Sequence, residues 1–273
     1  MIILNESERN VNYNFFHGDQ VLIPHVTFSR KGTHFCIYCG NVSDTREHAP
    51  SKVFLSNPYP ENLPVLPACK KCNNSFSDDE LYTEVYIDSL KYLSGRQESL
   101  RKENQERIYR NSAFIDAQND LRNYYDIGEM SRNIKIKRIL TKLAICHSVF
   151  ELSEGFYCDS WDGLPASIDY KFSFEMKQNE IREFDNFIDM NDKILPEVGS
   201  RVFGKILVFQ PVLTPINGGE NINANLVVMD WSDIQEGNYK YVAWFEKDDS
   251  FHVRIVIHDF IYAEVVFRRK ECI

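Results

Sequence analysis

No stretch of this 273-residue sequence approaches the ~18 consecutive apolar residues that a membrane-crossing helix needs, which excludes a transmembrane helix. The apolar opening Met1 to Leu4 turns polar at Asn5 and is too short for the core of a signal peptide, so a cytoplasmic protein is expected. There is no glycine-rich phosphate loop, and with it goes any support for NTP-driven chemistry. Net positive charge is also lacking. Lys and Arg number 31 against 40 Asp and Glu, leaving -9, which argues against nonspecific coating of nucleic acid but leaves room for a local basic site. Internal repeats and low-complexity tracts are missing, as is the aromatic-basic interleaving of single-strand binders. What is present suffices for a globular core: 43% hydrophobic and 26% charged residues exclude disorder as the overall state.

The chain divides by texture. Residues 1–30 are a mixed N-terminal extension, in which Val21 to Phe28 alternates weakly as a strand interrupted by Pro24. Residues 31–76 hold five of the ten prolines and too few apolar residues for a core of their own, so they need an external staple. Ser77-Asp78-Asp79-Glu80 has capping-box form and predicts a helix start, with the three acids favouring the positive end of that helix. Leu81, Val85, Leu90 and Leu93 supply its apolar side up to Gly95. A charged helix is expected from Arg96 to Arg110, irregular chain over 116–132, and a clear amphipathic helix from Ile134 to Phe150 through Ile136, Ile139, Leu140, Leu143 and Ile145. Strands are expected at Arg201 to Gln210, Ile222 to Met229, Tyr239 to Glu246, Phe251 to His258 and Ile261 to Phe267. The expected class is α+β: a zinc-stapled module over 31–95, a helical region over 96–160 and a mostly antiparallel β domain of unassigned role over 161–273.

Four of the seven cysteines carry the informative pattern. Cys36 and Cys39 form one CxxC pair and Cys69 and Cys72 another, with 29 residues between the pairs. In a reducing compartment such pairs are metal ligands rather than disulfides, and each turn aims two thiolates at one point. Four thiolates close a tetrahedral zinc site with no open position for substrate, so the zinc is expected to be structural. Between the pairs stands Glu47-His48. A neutral histidine can take a proton from water near pH 7, and a carboxylate beside it suits Mg²⁺ or Mn²⁺. Asn73, next after Cys72, offers an amide oxygen to the same ion if the zinc folds the two halves together. That set suits phosphodiester hydrolysis.

The run Glu47-His48-Ala49-Pro50, then Asn62, then Cys69-Lys70-Lys71-Cys72-Asn73-Asn74 resembles the HNH endonucleases of the four-cysteine zinc subgroup, over roughly residues 34–80. The resemblance implies a ββα-metal fold acting on DNA. It implies His48 as general base, Glu47 and Asn73 as ligands of a catalytic Mg²⁺ or Mn²⁺, and Asn62 as a loop-fixing residue. It also implies products with 5′ phosphate and 3′ hydroxyl. Glutamate at 47 replaces the commoner aspartate, and Phe76 stands where a lysine is common.

Substrate contacts are expected from Arg46, Lys52, Lys70 and Lys71, which flank the motif. Residues 131–142 carry five cations and no acid, and on a helix Lys135, Arg138 and Lys142 share one side facing phosphate. Cys146-His147 and the aromatics Phe172, Phe174, Phe184 and Phe187 read as core, whereas Cys158 and Cys272 lack partners at ligand spacing. His252 and His258 could share a β face with no third ligand. The expected partner is DNA, with a protein partner or a homodimer through the C-terminal region, and a setting in phage defence or mobile elements by analogy. The competing expectation is a zinc-stabilised nucleic-acid or protein-binding module without catalysis. Glu47 and His48, which a zinc site does not need, favour the enzyme.

Overall fold

The computed structural model describes residues 35–61, 63–107, 115–117, 119–121, 133–152, 164–185, 207–209, 212–213, 222–223, 226–228, 231–246, 248 and 250–268. Within them the chain is α+β, with helices and antiparallel sheets. Asn62, Val21 to Phe28, Cys158, Phe187 and Cys272 lie outside the described residues.

The N-terminal module is a hairpin followed by a helix. Strand β1 (Thr45–His48) pairs antiparallel with β2 (Val65–Ala68), His48 opposite Val65 and Glu47 opposite Leu66. Strand alternation sorts the side chains. Glu47, Leu66 and Ala68 turn inward and are buried, while Arg46 and His48 lie on the outward face with Val65 and Pro67. Neither strand announced itself in this proline-rich sequence, because each is four residues long.

Helix α1 spans Lys70–Leu93 and begins seven residues before the expected Ser77. Cys69 is its N-cap: the Cys72 amide donates to Cys69 Sγ at 3.4 Å, and the Lys70 amide donates to Asp44 Oδ1 at 2.6 Å. These groups satisfy two of the orphan donors of the first turn, so the Ser77 box is not needed as a start. Asp78, Asp79 and Glu80 therefore sit inside the helix, not at its positive end. Gly95 follows the C-cap with φ +70, the left-handed conformation that glycine adopts at helix ends. The expected Arg96 to Arg110 helix is the shorter α2 (Lys102–Arg107).

Helix α3 (Ile134–Leu152) meets its predicted apolar pattern. Ile136, Ile139, Leu140 and Leu143 are fully buried, packing on α1 on one side and on the C-terminal sheet on the other. That sheet runs β3 (Ser167–Phe172), β11 (Ile261–Phe267), β10 (Phe251–Ile257), β9 (Tyr239–Phe245), β8 (Ser232–Gln235), antiparallel throughout. Strand β3 was not expected. Short strands β4 (Leu207–Phe209), β5 (Val212–Leu213), β6 (Ile222–Asn223) and β7 (Leu226–Val228) form two further antiparallel pairs, and α4 (Gln178–Asp185) follows β3. One buried cluster runs from Ile37 and Leu66 through α1 and α3 to Phe251, Ile255 and Val265 of the sheet. Cys146 and His147 belong to this interior. The His147 ring stacks on Tyr241 at 3.7 Å, and its Nε2 is 2.7 Å from the Tyr239 hydroxyl. No helix among the described residues is long and apolar enough to cross a membrane.

Candidate functional site

The four cysteines converge. Cys36 and Cys39 occupy a turn closed by the Gly40 amide donating to the Cys36 carbonyl at 2.9 Å, with Gly40 at φ 71. The Ile37 amide donates to the Pro67 carbonyl at 3.0 Å, which ties this turn to β2 one residue before Ala68 and two before Cys69. The second pair lies at the mouth of α1. All four sulfurs fall within 4.8 Å of one another, and Cys39 Sγ is 3.8 Å from Cys69 Sγ. A tetrahedron with metal–sulfur bonds of about 2.3 Å has sulfur edges of about 3.8 Å, so the donor set fits one metal ion such as zinc. The Asn41 backbone amide leads the contacts that hold the Cys39 thiol down to about 7. Burial pushes Cys36 and Cys72 up.

The residues between the pairs separate by strand face. His48, at the end of β1, is half-buried on the outward side, where Arg46 and Lys52 are exposed. Burial first, then the charges of Lys52 and Lys142, lower its pKa, so the imidazole is neutral at pH 7. Its Nδ1 is buried without a hydrogen-bond partner. Asn73 joins helix to strand on the other side: its Nδ2 donates to the Arg46 carbonyl at 3.1 Å and to Thr45 Oγ1 at 3.3 Å.

Glu47 points inward and is 4% exposed. Its Oε1 accepts from Lys142 Nζ of α3 at 2.9 Å, while its Oε2 is buried with no partner. The Lys142 ammonium also donates to Ser51 Oγ at 2.6 Å and to Glu80 Oε1. Ser51 in turn donates to Glu80. Burial alone would lower the Lys142 pKa, but Cys146, Glu47 and Glu80 together raise it, and the group is an ammonium.

Lys142 is 1% exposed and committed to two carboxylates, which removes it from the expected phosphate contacts. Lys135, Arg138 and Lys142 do share one side of α3, but that side faces α1. Lys135 lies 4.2 Å over the Tyr82 ring and pairs with Asp116. Arg138 lies 4.8 Å over Phe76 and pairs with Asp79. Lys135 and Arg138 keep partial exposure, whereas Arg46, Lys52, Lys70 and Lys71 are exposed around the module.

A second buried network was missed in the sequence. Glu84 of α1, 1% exposed, accepts from Arg101 Nη1 at 2.5 Å and lies 2.8 Å from His258 Nε2. Asp88, one turn further, accepts from Gln97, Asn104 and the Arg101 amide. His258 and Asp259 take left-handed φ of 55° and 49° in the β10–β11 turn, which brings His258 to Glu84 and not onto a face shared with His252. His252 instead meets Glu264 at 2.8 Å. Glu80, Glu84 and Asp88 recur every four residues. Such a stripe on a helix with apolar neighbours all round was the available signal that three carboxylates needed internal partners. A cavity of about 210 Å³ lies over this network, lined by Lys52, Leu55, Tyr59, Glu84, Arg101 and Asn104.

Searches of family models, curated proteins and solved structures return no match to this chain.

Proposed function

We propose that the chain is a metal-dependent endonuclease of the HNH type that hydrolyses DNA phosphodiester bonds. The observation that carries this reading is the setting of His48: a neutral, half-buried imidazole at the end of β1, flanked by exposed Arg46 and Lys52, in a hairpin-helix module stapled by four converging sulfurs. Arg46 and Lys52, with Lys70 and Lys71 at the start of α1, attract a phosphate backbone in a chain whose overall charge repels it. His48 takes the proton of the attacking water. The cysteine cluster uses all four of its ligands internally, so the zinc it would hold is structural. Asn62, matched by the resemblance alone, is proposed to fix the loop before β2.

The donor set for a second ion is Glu47 and Asn73. Glu47 Oε2 is an orphaned buried carboxylate oxygen, an acceptor that a cation satisfies, and Asn73 reaches the same side of β1 through Thr45. These two residues would hold a Mg²⁺ or Mn²⁺ ion on the inward side of β1, opposite His48, so for its charge to serve the scissile phosphate and the leaving oxygen the Glu47 carboxylate would have to leave Lys142 and turn outward. Asn73 also keeps α1 in register with β1, so its substitution affects the positions of both Glu47 and the zinc turn.

Nicking of supercoiled plasmid DNA in Mg²⁺ or Mn²⁺ tests the reading. His48→Ala is expected to lower the rate by about 10²–10⁴-fold with zinc content unchanged. Wild-type rates in His48→Ala remove the base. The ion pair between Glu47 and Lys142 favours a second reading, a zinc-stabilised binding module in which Glu47 is structural. Tight DNA binding by wild-type protein with no nicking in either ion selects that reading.

A further inference from the structure

The carboxylate assigned above to a divalent ion already has a cation, and it comes from a different part of the chain. Lys142 Nζ stands 2.9 Å from Glu47 Oε1 and 2.6 Å from Ser51 Oγ, and it also contacts Glu80 Oε1. Its side chain is 1% exposed, that of Glu47 5% and that of Glu80 15%. The Phe76 ring lies 5.5 Å from the ammonium, and the Tyr38 hydroxyl lies 3.1 Å from Cys146 Sγ, four residues along α3 from Lys142. Two carboxylates and one ammonium leave the cluster with one uncompensated negative charge, and Glu47 Oε2, buried without a hydrogen-bond partner, is the oxygen left to carry it.

We propose that Lys142 is an internal counter-cation of Glu47, and that Glu80, by sharing the ammonium, sets how tightly Glu47 takes a divalent ion. The inference rests on the ion reading of Glu47 given above. A dication arriving at Oε2 meets a fixed positive charge on the other oxygen of the same carboxyl group, in an environment where such repulsion is poorly screened. Glu80 draws the ammonium away from Glu47 and offsets part of that repulsion. Ser51, accepting from Lys142 and donating to Glu80, fixes the geometry of the exchange. The arrangement also ties the ion site to α3, whose opposite side packs on the C-terminal sheet.

The two sides of this balance predict shifts of opposite sign. Mn²⁺ binding is measured directly by electron paramagnetic resonance on zinc-loaded protein without DNA. Lys142→Met, which keeps the length and removes the charge, is expected to tighten Mn²⁺ binding by about tenfold or more. Glu80→Gln, which leaves the ammonium to Glu47 alone, is expected to weaken it by a similar factor. Lys137→Met removes the same charge from the same helix without touching the cluster, and its affinity is expected to equal that of the wild type. A residue needed only for folding would weaken binding in both cluster variants. Should Lys142→Met not fold, Glu80→Gln decides: affinity equal to or above wild type overturns the proposal. Equal Mn²⁺ affinities in all four proteins, with plasmid nicking retained, sink the counter-cation role and leave the nuclease reading standing. The predicted order of affinities without any nicking by wild type does the reverse.

Discussion

Cys39→Ser and Cys69→Ser separate the metal from the fold around it, because the two sulfurs have different second roles. Cys69 Sγ caps α1 by accepting the Cys72 amide, whereas Cys39 is exposed and caps nothing. Serine is itself a favoured N-cap, so Cys69→Ser keeps the cap, an element worth about 1 kcal/mol. The metal term is far larger: structural zinc contributes about 10–16 kcal/mol in small modules at neutral pH. The sulfurs are nearly at tetrahedral spacing, with 3.8 Å between Cys39 and Cys69 and none beyond 4.8 Å, so little of that is spent on rearrangement. Both variants are therefore expected to lose bound zinc and to unfold the hairpin-helix module at lower temperature by a similar margin. Elemental analysis with thermal unfolding, with and without a strong chelator, measures this. One zinc per wild-type chain is expected. A wild type that purifies folded without zinc refutes the argument. A Cys69→Ser protein as stable as wild type, with Cys39→Ser destabilised, would show that the cap and not the metal is what matters at Cys69.

Two further outcomes follow from the same geometry. Glu84→Gln, measured by urea unfolding at pH 7, is expected to cost about 3–5 kcal/mol, because it leaves Arg101 without its buried counter-charge and weakens the link to His258. Burial alone would raise the Glu84 carboxyl, but His258 and Arg101 hold it below the usual value. The stabilisation is therefore complete above a pH of about 4.3 and fades as pH falls through the lowered folded value, so the gap between wild type and variant should close in acid; a gap independent of pH contradicts the pairing. Arg46→Ala and Lys70→Ala are each expected to weaken DNA binding and to flatten the log–log salt dependence by about 0.9, with zinc content unchanged. Unaltered slopes would take the exposed face of the module out of phosphate contact.

How far the sequence can be read here depends on whether a residue's neighbours lie close to it along the chain. The CxxC pairs are local turns, and their convergence follows from their spacing. The amphipathic pattern of α3 is likewise a property of consecutive residues, and Ile136, Ile139, Leu140 and Leu143 are buried as that pattern requires. Strands β9, β10 and β11 were legible because short turns join β9 to β10 and β10 to β11, its partner in the sheet. The start of α1 was misplaced because a cysteine serving as N-cap does not belong to the usual capping residues. Seven residues of that misplacement moved Asp79 and Glu80 from a helix end, where acids need no partner, to a helix interior, where they need cations.

That shift changes the meaning of the basic stripe on α3. Charge counted along the chain makes residues 131–142 a phosphate-binding surface, because five cations stand there without an acid. Charge counted across the α1–α3 contact cancels much of it: Arg138 against Asp79, and Lys142 against Glu80 and Glu47. A cation stripe on one helix and a carboxylate stripe on another, with pairs 59 and 62 residues apart, each look like a solvated face when read alone. Their match becomes visible only once both helices are phased from their true starts. Arg46, Lys52, Lys70 and Lys71 are left as exposed cations on the same module as the converging thiols and His48. The proposed substrate contacts and the proposed chemistry thus fall on one small hairpin-helix unit, while the acidic remainder of the chain supplies the core that holds it and, through Lys142, the counter-charge that stands behind Glu47.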